Sequence, residues 1–141
     1  MFENLLLAVD VTSPDGASKS VAAAVALAKA HGSTLHLLNV VPDSGMAIVG
    51  ASLAPDHMKR LMEAAQNEMH AWTDKNLPNE VSHQIHIVEG TVYDQIIHVA
   101  NKLDVDAIIV GAHRPEFRDY LIGPNAARVA RHATQSVFVV R

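Results

Sequence analysis

The sequence predicts an α/β fold: a single-domain, doubly wound, mainly parallel five-stranded sheet with helices on both faces. Three observations lead there. Short, almost wholly apolar runs recur along the chain, and such runs suit parallel strands buried on both faces. Longer segments between them carry apolar residues at helical spacing. The two alternate in the order β-α-β-α-β-α-β-α-β, the pattern of a wound parallel sheet.

The first run, "NLLLAVD", reads as strand one and ends at Asp10. The next segment places Val21, Ala24, Val25 and Ala28 on one helical stripe. Ser13 and Asp15 can cap its start, and Gly32 can end it. "STLHLLNVV" is strand two, and "PDSGMAIVGASLAPD" is a loop, with its glycines, prolines and lack of period. A second helix is expected from His57 to Asn76, with Leu61, Ala65, Met69 and Trp72 as its stripe. "VSHQIHIVEG" is strand three, with Val81, Ile85 and Ile87 on one face. Thr91 caps a third helix whose stripe is Ile96, Val99, Ala100 and Leu103. "AIIVGA" is strand four, "NAARVARHA" a short helix and "SVFVVR" strand five.

Composition narrows the function classes. The 141 residues suit one domain over 1–141. A net charge of −4 argues against bulk nucleic-acid binding and anionic membranes. With no cysteine, disulfides and thiolate metal sites are excluded. No apolar run approaches the roughly 20 residues that span a bilayer, so an integral membrane protein is not expected. The N-terminus lacks a basic leader region, and a cytoplasmic location is the expectation. The nine histidines do not fall into metal-ligand spacing. His83 and His86, three apart in a strand, point to opposite faces, and no HExxH pattern or paired carboxylate is present. Met58, Met62, Met69 and Trp72 read as core or interface.

Ligands in wound sheets bind beyond the carboxyl ends of the strands, where strand order reverses. That rule points to Asp10, to Val40–Pro42 and to Gly111 onward. "GAHRPEFRDYLIGPNAARVARH" joins a strand end to a helix start through a basic loop. Gly123 precedes the helix, whose first N–H groups and dipole favour an anion. Gly111 permits close approach, and Arg114 is suited to phosphate oxygens. Pro124 removes one donor yet fits the first helical position, and Asn125 and Ala126 still offer N–H groups. Each residue also has a plainer reading. Asp10 can cap a turn, Arg114 can be a solvated loop cation, His113 an exposed loop histidine, and Gly111 a simple turn.

The strand ending in Asp10, "LHLLNVVP", "EGTVYDQIIHVANKLDVDAIIVGAHR" and "LIGPNAARVARHATQSVFVVR" together resemble the universal stress protein family, over essentially the whole chain. The shortened loop is similar to that of the F- and G-type subgroup. The resemblance implies a Rossmann-like fold of the adenine nucleotide alpha hydrolase kind. It also implies ATP or AMP as ligand, with magnesium as an optional companion ion. The family's glycine pattern is kept only in part: Gly111 and Gly123 match, Arg114 stands at the second glycine, and Pro124 replaces Ser or Thr. By resemblance, Ala8, Val9 and Asp10 meet the adenine or ribose, and Leu35 lines the base pocket. Val9, Val40 and Val110 add apolar walls, with His113, Arg114, Gly123, Pro124, Asn125 and Ala126 toward the phosphates. The resemblance further implies a homodimer through the C-terminal strand, or a tetramer of such dimers.

Three functions follow as expectations. The first is an ATP- or AMP-binding stress-response or regulatory protein whose occupancy tunes oligomerisation or partner contacts. The second is a nucleotide-independent oligomeric adaptor acting on a membrane transporter or another enzyme. The third is slow ATP hydrolysis, with little residue support, because no Walker lysine-serine pair or magnesium ligand set is present. A phosphotransfer receiver fits poorly, since strand one ends in a single Asp and strand three in Glu89-Gly90.

Overall fold

The computed structural model describes residues 1–10, 14–42, 56–112 and 123–141. The elements are β1 (Asn4–Ala8), α1 (Pro14–His31), β2 (Thr34–Val41), α2 (His57–Asn76) and β3 (His83–Glu89), then α3 (Val92–Lys102), β4 (Ala107–Gly111), α4 (Pro124–His132) and β5 (Ser136–Val140). The strands form one parallel sheet in the order β3-β2-β1-β4-β5. The chain winds outward from β1 through β2 to β3, then crosses back to β4 and β5. Strand order therefore reverses between β1 and β4.

Right-handed crossovers put the helices of each half on opposite faces. Alternation along the strands supplies a core to each. Leu5 and Leu7 of β1, Leu35 and Leu37 of β2 and Ile109 of β4 pack with Val21, Ala24 and Ala28 of α1 and Met69 of α2. Leu6, Leu38, Ile108 and Val110 face the other way, onto Ile96, Val99 and Ala100 of α3 and Ala126 and Val129 of α4. The central strands are thus apolar on consecutive positions because both faces are covered. Each fully buried Leu or Ile contributes about 1.5–3 kcal/mol.

Helix ends follow local chemistry. Gly32, at φ 65°, ends α1, and the Ser33 N–H reaches back to the Ala28 carbonyl. Asp104, at φ 51°, ends α3 in the same way, with N–H bonds from Asp104 to Asn101 and from Val105 to Ala100. Asp tolerates this left-handed position better than most side chains.

Two expectations are corrected. α1 begins at Pro14, so Asp15 lies inside its first turn rather than capping it. The stripe of α2 buries Ala65, Met69 and Thr73, while Leu61 stays 39% exposed and Trp72 is half-buried. Its core-facing stripe is thus shorter than the apolar residues alone suggested. Ser13 and residues 43–55 lie outside the described residues.

Candidate functional site

The carboxyl ends of β1, β2 and β4 and the amino end of α4 meet at the point of reversal. The β1 exit is held by its neighbour: the Val9 N–H donates to the Leu38 carbonyl at 2.8 Å, and Asn39 Nδ2 donates to the Val9 carbonyl at 2.9 Å. Asp10, directly after, is exposed. At β4 the Ala112 N–H donates to the Val140 carbonyl at 2.8 Å, and the Gly123 N–H to the Ala112 carbonyl at 3.3 Å. That last bond sets the start of α4 on the end of β4.

α4 opens with Gly123 as N-cap and Pro124 at its first position. Glycine has no side-chain oxygen to cap the helix, and no acidic residue occupies the first turn. The N–H groups of Asn125 and Ala126 have no acceptor within the helix, because they precede the first i to i−4 bond, Ala127 N–H to Gly123 O. The helix dipole adds positive potential there. An anion is the chemical complement of this end. Farther along α4, Arg128 stacks over the Tyr93 ring of α3 at 4.9 Å.

Most of the expected site residues converge. Ala8 and Val40, both half-buried, border the layer that contains Val110 and Ala126. Gly111 is exposed at the end of β4, Gly123 is buried, Pro124 exposed and Asn125 half-buried. Val9 is the exception among the walls. It is 5% exposed and faces the α1 side, opposite to Val40 and Val110, because adjacent residues of a strand alternate. Leu35 is placed elsewhere altogether. It is fully buried beside Leu5 at the amino end of β2, about 20 Å along the strand from the carboxyl end. It is core, and the expectation that it lines a base pocket is corrected. His113 and Arg114 lie outside the described residues.

Asn39 was missed. It is 8% exposed, and its amide is bonded to the backbone that leads into Asp10. The signal was a lone amide within "LHLLNVV", since a polar side chain in a doubly buried strand needs a partner. No group of three or more His, Asp or Glu that could hold a metal occurs among the described residues.

The model of the universal stress protein family matches residues 1–141. The chain belongs to this family. It is 30% identical to universal stress protein G of Salmonella typhimurium and 31% identical to that of Escherichia coli O157:H7, with all of each chain covered. Among solved structures it is similar to the universal stress protein UspA of Lactobacillus plantarum, with a TM-score of 0.72 and 25% identity over 99% of this chain and 98% of that one. It is also similar to the universal stress protein of Archaeoglobus fulgidus in complex with dAMP, with a TM-score of 0.70 and 20% identity over the whole of both chains. The five-stranded sheet is therefore the universal stress protein fold.

Proposed function

We propose that this chain binds ATP or AMP where β1, β2 and β4 end, and that occupancy tunes its self-association or its contacts with a regulated partner. The observation that carries the reading is the Gly123–Ala112 bond. It brings the anion-favouring end of α4 beside the half-buried Ala8 and Val40. Those apolar residues suit one face of an adenine, and the α4 N–H groups suit phosphate. Arg114, between Ala112 and Gly123 in the sequence, would add charge to the phosphates. Family relatives bound to dAMP and to cAMP support adenine nucleotide as the ligand class. Where magnesium accompanies ATP, it would sit on the phosphates with few protein ligands. The chain would act in the cytoplasm as a stress-response regulator, without nucleic acid.

Self-association is expected through β5. This strand is at the sheet edge, paired to β4 alone among the described strands, and Phe138 on it is 36% exposed. An apolar open edge is satisfied by a second copy related by two-fold symmetry, as a homodimer or a tetramer of dimers.

One observation favours the second reading, a nucleotide-independent adaptor for a transporter or another enzyme. Pro124 at the first helical position has no N–H, so the α4 end has one donor fewer than a family member with Ser or Thr there. Purified protein separates the two. Denaturation should release adenine nucleotide, and titration of nucleotide-free protein with ATP should give saturable heat. Neither signal at millimolar ATP would leave only the adaptor.

A further inference from the structure

We propose that His36 and His86 form an acid-released clasp that fastens the edge strand β3 to the sheet. It stands apart from the nucleotide site, at the opposite end of β2.

The two rings come from strands that pair as Leu38↔His86 and His36↔Gln84, so they are diagonal neighbours on the α3 face. His36 Nδ1 lies 3.0 Å from His86 Nε2, with ring centroids 5.2 Å apart. His36 Nε2 lies 3.2 Å from Asn4 Oδ1 of β1. Asn4 is itself held by Asp106 at the entry to β4. Its N–H donates to Asp106 Oδ2 at 2.9 Å, and its carbonyl accepts from the Asp106 N–H at 2.8 Å. A polar chain thus runs Asp106–Asn4–His36–His86, from the entry of β4 across β1 and β2 to β3.

Proton positions follow from the partners. The Asn4 Oδ1 atom only accepts, so His36 Nε2 must carry hydrogen. A neutral His36 then offers a lone pair at Nδ1, and His86 Nε2 must donate to it. The chain is complete with both rings neutral. One proton can enter at His86 Nδ1 without loss of the ring–ring bond. A second, on His36 Nδ1, sets two N–H groups face to face between two cations, and the clasp opens.

The surroundings oppose protonation. His36 is only 5% exposed. On β3, Gln84 and Val88 flank His86 on its own face. From α3 the charge that reaches His86 is Lys102, with His98 one turn earlier on that helix. From α4, Arg128 is stacked on Tyr93. Burial, then the charge of His86, hold His36 below its ordinary value of 6.5; burial, then Lys102, do the same for His86. The folded state therefore binds fewer protons than the unfolded chain below about pH 6.5, so stability rises with pH in that window. The contribution is complete above the unfolded value and is lost as pH falls through the lowered ones.

Nitrogen-15 NMR of the unmutated protein tests the clasp. His36 should show the Nε2–H tautomer, and both rings should titrate below the ordinary histidine range. Between about pH 7 and pH 5, β3 amide exchange, corrected for its intrinsic pH dependence, should quicken about fivefold relative to β1 and β4, the loss of one ordinary hydrogen bond. In His86→Gln, which can donate to His36 Nδ1 but cannot be protonated, that excess should disappear. Rings that titrate independently at ordinary values would overturn the proposal. So would β3 exchange that only follows β1 and β4, or an excess that survives in His86→Gln.

Discussion

Asn39 donates from its side-chain amide to the carbonyl of Val9 at 2.9 Å, and so fixes from β2 the backbone by which β1 leads into Asp10. The amide is 8% exposed, so water can replace it only poorly. Asn39→Leu keeps the volume but strands the Val9 carbonyl. It should lower stability by about 1–3 kcal/mol, the cost of a buried polar group left unpaired. Urea unfolding at constant m-value checks this. A loss well under half a kilocalorie would mean the bond is idle.

The shortened stripe of α2 gives a paired test. Met69 is fully buried and Leu61 is 39% exposed, although both fall on the helical spacing. Met69→Ala should cost about 2–5 kcal/mol. Leu61→Ala should stay within about 0.5 kcal/mol, as for other surface changes. Equal losses would place Leu61 in the core and the helix in a different rotation.

For the nucleotide reading, Arg114→Ala should weaken ATP by about 1.5–3 kcal/mol, the worth of a hydrogen bond to a charged group, and adenosine much less. Calorimetry with both ligands makes the comparison, and equal losses would remove Arg114 from the phosphates. Pro124→Ser restores one N–H and a hydroxyl at the start of α4. ATP should then bind as well or more tightly. A clear weakening with the circular dichroism spectrum intact would mean that the proline belongs to another binding geometry.

The β5 edge has a directional test. The Val140 carbonyl accepts from Ala112, so even-numbered residues of β5 turn their backbone groups toward β4 and Val137 and Val139 turn theirs to the open side. Val139→Pro therefore deletes an outward N–H and spares the bonds to β4. Sedimentation should show the unmutated protein as a dimer or larger at micromolar concentration, and Val139→Pro and Phe138→Lys shifted toward monomer. A 15.2 kDa species for the unmutated chain would end the β5 proposal.

The fold was legible because its signals are local. Runs such as "LLLA" and "AIIV" are apolar at consecutive positions only when both faces are covered, and Gly32 and Thr91 mark helix boundaries within a residue or two of where they fall. Pro124 was likewise readable as a first helical residue, since its fixed φ and missing N–H suit that position alone in a helix. Strand order, and with it the point of reversal, is not local. It depends on the return from β3 across the sheet to β4, so the convergence of Ala8, Val40, Val110 and Gly123 followed from the resemblance and the crevice rule rather than from any spacing. Leu35 was misplaced for a related reason: the sequence gives a residue's strand but not which end of the sheet a ligand uses. The His36–His86 contact was invisible for the same cause. Fifty residues separate the two rings, and only parallel pairing of β2 with β3, in the register His36↔Gln84, sets one imidazole diagonally against the other. Sequence alone determined the elements, their alternation and the absence of thiol chemistry. Tertiary structure decided which polar side chains meet, because in a parallel sheet every neighbour is brought by a long crossover whose register the apolar pattern leaves unstated.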